Sequence, residues 1–163
     1  MDQRPDSTLD EDSVPPEVTA VLGSTLQRIL AEVTFADAWF RPEVSSDPSA
    51  IVPSDLHVLL PQTAPWPGRL LLSGDLPTVQ DLAAGFHSIP DAMVDRTIAL
   101  DFLAELGTLL LRDLFCASDV AVQLTDPLEL SAAAADIFWK DAGTARAALG
   151  CNQGRVFAAL AGS

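Results

Sequence analysis

Five polar residues, Thr97, Asp101, Glu105, Thr108 and Arg112, follow one another at intervals of four, four, three and four. Residues three or four apart stack along one side of a helix. Such a stripe would present two carboxylates, a hydroxyl and a guanidinium to one surface. Carboxylates pair a partner's cations, and a hydroxyl can touch a water. A solvated face satisfies the same spacing, because every amphipathic helix packed on a sheet has one. Two details favour contact. Asp101 and Glu105 are like charges one turn apart, which weakens a helix by roughly a few tenths of a kcal/mol, whereas a solvated face more often alternates sign. Leu100 and Phe102 flank the acids, so this side is expected to be less polar than plain surface, as protein docking requires.

Other chemistry finds no constellation. His57 falls in a strand pattern and His87 at a helix end, with no acid or thiol at triad or ligand spacing, and both read as structural because a site needs several convergent groups. No glycine-flanked serine marks a nucleophile turn, and the two glycines between Gly68 and Gly74 make no phosphate-binding fingerprint. Cys116 and Cys151 stand far apart without histidines at ligand spacing, and are read as reduced core residues outside any disulfide or metal site. Trp39, Trp66 and Trp139 are isolated and assigned to packing. No cofactor is expected.

The whole chain sets bounds on partners. It has 163 residues, 48% of them hydrophobic and 20% charged, which suits one domain with a real core. Acids outnumber bases 23 to 9, for a formal net charge of -14. The eight arginines and Lys140 are scattered, so a phosphate backbone has no basic patch to neutralise it and nucleic acid is excluded. The most apolar stretch, Thr97 to Leu111, is interrupted by Asp101 and Glu105 and is too short to span a bilayer. Met1 to Glu17 lacks a basic start and an apolar run, so no secretory signal is read and a cytoplasmic protein is expected.

The elements that must position the stripe follow from periodicity. Residues 1–14 read as an acidic, disordered tail and 15–163 as one domain. Pro15-Pro16-Glu17 opens a helix whose apolar stripe runs from Val18 to Val33. Arg41 to Pro53 reads as a loop, Leu56 to Leu60 as a strand, Pro61 to Gly68 as a connection and Arg69 to Ser73 as its antiparallel partner. Pro77 to Phe86 is a second helix. The third begins near Pro90 and runs to about Phe115, with Ile98, Leu106, Leu109 and Leu110 opposite the polar stripe. Strands are expected at Val120 to Leu124 and around Ile137-Phe138-Trp139, then a hairpin of Thr144 to Leu149 with Arg155 to Leu160. The class is α+β, a two-layer arrangement of helices on a largely antiparallel sheet.

At the stripe the sequence resembles the CheC/CheX/FliY family of chemotaxis phosphatases. That family carries an acidic or small polar residue, Glu after a three-residue gap, and then Asn on one long helix. Asp101-Phe-Leu-Ala-Glu105-Leu-Gly-Thr108 follows that spacing, and the element order from Val18 to Leu160 agrees. A single motif copy is more similar to the CheX branch. The resemblance implies docking on a response-regulator receiver domain of CheY type, with Glu105 pairing the regulator's active-site lysine. It implies catalytic roles at Glu105 and Thr108 and partner binding at Asp101, Glu105 and Arg112. Thr108 stands where the family has Asn, and Arg112 where it has glycine, which together imply weak or lost aspartyl-phosphate phosphatase activity. An active phosphatase remains open, as does a non-catalytic assembly module related to flagellar switch proteins. The resemblance also implies a homodimer through the sheets.

Overall fold

The computed structural model describes residues 14–34, 55–141, 143–151 and 154–162. Residues 1–13 of the expected acidic tail, the Arg41 to Pro53 loop and Trp39 lie outside the described residues, while Val14 packs against the core. The element order is α1 (Pro16–Thr34), β1 (Leu56–Ala64), β2 (Gly68–Gly74), α2 (Leu76–His87), a 3-10 turn (Asp91–Met93), α3 (Arg96–Leu114), β3 (Gln123–Leu124), β4 (Leu128–Glu129), α4 (Ala132–Lys140), β5 (Ala145–Cys151) and β6 (Gly154–Gly162). One sheet runs in the order β3-β1-β2-β6-β5, and β4 joins β1 on the same side as β3. Every pairing is antiparallel. Both expected hairpins are present, and the α+β class of helices on an antiparallel sheet holds.

Strand alternation sorts the core into two faces. Leu56, Val58, Leu60, Leu70 and Leu72 turn toward α1, α2 and α3 and form the larger core with Leu103, Leu106 and Leu110. Leu59 and Leu71 turn the other way, onto Phe138 and Trp139 of α4. An unbroken apolar run such as Leu70-Leu71-Leu72 needs cover on both sides, and α4 supplies it as a partial third layer.

That helix corrects the strand expected around Ile137-Phe138-Trp139. Ser131 caps it by accepting from Ala134 N at 3.2 Å, four alanines follow, and Asp136 pairs with Lys140 one turn later at 3.2 Å. Ala135, Phe138 and Trp139 are its buried side, at helical rather than alternating spacing. Alanine propensity and the cap outweigh three bulky residues in a row.

Other boundaries shift. β1 continues through Pro61 to Ala64, where a connection was expected. Pro61 pairs with Arg69 on β2 and its carbonyl accepts from Thr125 N at 3.1 Å. N–H and C=O of one extended residue point the same way, so the missing donor faces the gap between β3 and β4 and breaks no ladder. The strand expected over Val120 to Leu124 shrinks to Gln123–Leu124. The third helix starts at Arg96 instead of near Pro90, because the residues after Pro90 form the separate 3-10 turn. Cys116 is exposed and free, against its expected core position. Trp66 and Trp139 are buried, as packing residues should be.

The helices are seated by close approaches. A Cβ on Gly85 of α2 would lie 2.5 Å from the carbonyl oxygen of Thr34 at the end of α1. Asp55, ahead of β1, caps α2 from outside by accepting from Leu76 N at 2.8 Å. Gln80 of α2 donates to Val94 O at 2.8 Å, fixing the segment that leads into α3. Beside it, Asp81 has a carboxyl pKa held above its ordinary value by burial, by the charge of Asp91 and by a hydrogen bond to Asp91.

Two outcomes are expected. Gly85→Ala gains about 1 kcal/mol of helix propensity, but an overlap with a backbone carbonyl cannot be relieved by turning a side chain and costs about 1–3 kcal/mol. Urea unfolding should therefore show a net loss of about 1 kcal/mol, while Gly143→Ala, whose Cβ would meet only Asp141 Oδ1 at 3.5 Å, changes stability little. For Asp81 the folded pKa is raised, so its stabilising contribution is complete below the ordinary carboxylate range and is lost as pH rises through the raised value. Asp81→Asn should be more stable than wild type at neutral pH, with the difference disappearing in acid. A difference that instead grows in acid contradicts the assignment.

Candidate functional site

Helix α3 carries the stripe, and its orientation is set at both ends and from beneath. Asp95 caps the start by accepting from Ile98 N at 2.9 Å. Arg96 then donates to Asp55 O at 3.3 Å and pairs with Glu129 of β4, tying the first turn to the start of β1 and to the strand beside it. Near the other end Arg28 of α1 pairs with Asp113. Beneath the middle lies Gly107, where a Cβ would be 2.8 Å from Leu60 Cδ1 and 3.2 Å from Leu72 Cδ1. The helix therefore touches the sheet with its backbone between Glu105 and Thr108, the two residues given catalytic roles by the resemblance.

Thr97, Asp101, Glu105 and Arg112 are exposed and Thr108 is half-buried. The spacing thus brings all five to one side, away from Ala99, Leu103, Leu106 and Leu110, which are buried. Two expectations about the flanks change. Phe102 is 1% exposed and belongs to the core, so it cannot make the acidic side less polar. Ile98 and Leu109 are only partly buried, because they lie at the margin of the core face.

The apolar character beside the acids comes from elsewhere. On one side of α3 an open groove of about 260 Å³ lies against Leu100, Ala104, Pro127 and Leu128, with the carboxylates of Asp101 and Glu129 among its lining. On the other side a groove of about 340 Å³ is lined by His87, Ile89, Ile98 and again Asp101. Asp101 therefore stands on a ridge between two largely apolar hollows. Leu128 is 51% exposed and pairs with Leu59 on β1, so its side chain lies on the α4 side of the sheet while its strand borders the groove. Sequence reading missed Leu128 and Ile89 because each comes from a short irregular stretch. The signal available was Asp126-Pro127, which breaks the strand and turns Leu128 outward.

Thr108 has a defined hydrogen bond. Its Oγ1 donates to Ala104 O, one turn back, at 2.9 Å, the usual way a helical threonine uses its proton. The oxygen can still accept, but its single donor is committed. Asp101, Glu105 and Arg112 have no ion-pair partner among the described residues. His57 stays apart from the stripe: it is buried and its Nδ1 lies 2.8 Å from Ser73 Oγ, on the α4 side of the sheet, whereas His87 borders the groove beside Asp101. Among the described residues no group of three metal-ligating side chains comes together, and no helix is long and apolar enough to cross a membrane.

No protein-family model matches the sequence and no curated protein is significantly similar to it. Solved structures are similar over nearly the whole chain. A CheX from Borrelia burgdorferi, solved in complex with CheY, BeF3 and Mg2+, superposes with a TM-score of 0.65 at 14% identity, covering 89% of this chain and 95% of its own. A CheC-like superfamily protein from a Shewanella species gives 0.62 at 12% identity, over 91% and 98%. FliY from Thermotoga maritima gives 0.53 at 11% identity, over 91% of each chain. Helices packed on an antiparallel sheet, alike over nearly the whole chain, make this the fold of the CheC, CheX and FliY proteins.

Proposed function

We propose that this chain docks on the receiver domain of a CheY-like response regulator through the exposed face of α3, in a cytoplasmic chemotaxis or two-component pathway, and that its aspartyl-phosphate phosphatase activity is weak or lost. The observation that carries the reading is the pair of states on one face: Glu105 exposed and unpaired among the described residues, and Thr108 with its hydroxyl proton given to Ala104 O. The Borrelia CheX of the same fold was solved holding CheY, which supports a receiver as the partner.

Hydrolysis of an aspartyl phosphate requires a water held in line with the phosphorus, and most of the protein's contribution is positioning and charge. A carboxamide can accept from and donate to its surroundings at the end of a two-carbon reach. The threonine oxygen sits one bond nearer the helix and offers only acceptance. A misplacement of about 1 Å can cost roughly 10²-fold in rate, so Thr108 leaves docking intact while removing most of the acceleration. Glu105 keeps the carboxylate that would meet the receiver's lysine. The hollows on either side of Asp101 supply apolar contact, and the acid excess of the chain favours a partner surface bearing cations.

A homodimer belongs to the same proposal. Among the described residues β5 pairs only with β6, so its outer side can take a strand of a second copy.

The test is dephosphorylation and binding of phosphorylated receiver domains from the same genome, using wild type, Glu105→Ala and Thr108→Asn. Wild type is expected to bind one receiver with little acceleration. Thr108→Asn should raise the rate at least about tenfold, a part of the positioning effect, and Glu105→Ala should weaken binding. Strong acceleration by wild type that vanishes in Glu105→Ala would establish an active phosphatase instead. If no receiver binds, the docking reading fails.

A further inference from the structure

Among the described residues of this acidic protein, almost all basic side chains are occupied structurally. Arg28 pairs with Glu32 and Asp113, Arg96 with Glu129, and Lys140 with Asp136. Arg69 donates to Gly162 O and lies 5.1 Å from the centre of the Phe138 ring. Arg146 donates to Trp139 O and Asp141 O, both at 2.5 Å, and Arg155 is engaged as well. Arg112 is the exception among the described residues: it is exposed and has neither an ion pair nor a hydrogen bond from its guanidinium.

Its place on α3 gives that freedom a meaning. Arg112 follows Thr108 by one turn on the stripe. Long helical side chains lean toward the helix N-terminus and cover the preceding turn, which here carries Thr108. Thr97 lies about three turns away from Thr108, and the nearer groups on the stripe cannot hold a phosphoryl group. Asp101 and Glu105 are anions that repel it, and the Thr108 hydroxyl has its proton on Ala104 O. A guanidinium is always charged and its planar fork fits two phosphoryl oxygens.

We propose that Arg112 reads the phosphorylation state of the docked receiver by binding the oxygens of its aspartyl phosphate, making this surface selective for the phosphorylated form. This rests on the receiver-docking reading above and assigns the role that distinguishes one receiver state from the other. With Thr108 in place of a water-orienting amide and a cation one turn on, the site holds the phosphoryl group without directing a water at it.

The experiment compares affinity for a magnesium-loaded receiver with and without beryllium fluoride, using wild type, Arg112→Gln and Arg112→Lys. Glutamine keeps the helix propensity of arginine and a polar but uncharged end on a shorter side chain, and unfolding curves check that both variants are folded. Wild type should bind the fluoride-loaded receiver about tenfold or more tightly, the size of a charge-assisted hydrogen bond. Arg112→Gln should bring the ratio close to one, and Arg112→Lys should restore part of it because a point charge replaces the fork. A receiver bound equally in both states, or a preference unchanged in Arg112→Gln, overturns the inference while leaving docking in place. No binding in either state overturns the docking reading and the inference with it.

Discussion

Between Glu105 and Thr108 the long helix meets the sheet through a residue with no side chain. Gly107 lets the α3 backbone sit directly on Leu60 and Leu72, where even one added carbon would be 2.8 Å from a leucine methyl. That contact sets the rotation of the helix about its axis. Once it is fixed, Leu103, Leu106 and Leu110 must enter the core and Asp101, Glu105 and Arg112 must leave it. The Asp95 cap, the Arg96 contacts and the Arg28–Asp113 pair hold the ends, so the stripe is displayed on a rigid element, where small angular errors would spoil a docking geometry.

Charge supplies the second constraint. In a chain with an acid excess of this size, cations placed in the fold are the means of joining its parts: α1 to α3, the start of α3 to β4, α4 to itself. Each exposed pair is worth well under 1 kcal/mol alone, yet together they leave the acids of the motif face unneutralised. Asp101 and Glu105 repel each other weakly across one turn. A cationic group brought by a partner relieves that repulsion further than solvent screening does. The hollows lined by Leu100, Leu128, Ile89 and Ile98 provide the apolar contact that a purely charged ridge lacks.

Much of this was legible in the sequence. The spacing of Val18 to Val33 and of Leu103 to Leu110 marks helices because a buried face repeats every three or four residues. The β1–β2 and β5–β6 hairpins follow from apolar runs bounded by prolines and glycines. The stripe itself could be read, since exposure follows directly from helical period. What failed has identifiable causes. Phe138-Trp139 looks like a strand until the Ser131 cap and the alanine run are weighed. Pro61 reads as a break until the partner strands show that its missing donor faces a gap. Phe102 looks adjacent to Asp101 in sequence, but one residue along a helix is about 100° around it, which puts it in the core. The Thr108 hydrogen bond and the isolation of Arg112 depend on which side chains meet in space, so no sequence pattern carries them.

The central claim is that the outward face of α3 is the working surface. Amide hydrogen exchange of the full chain, alone and with the receiver bound, tests it most directly. Added protection is expected along residues 97–112 and around Leu128, with the outer edge of β5 unchanged by the receiver. Protection confined to β5, or none on α3, would contradict it and leave the stripe as a solvated helix face.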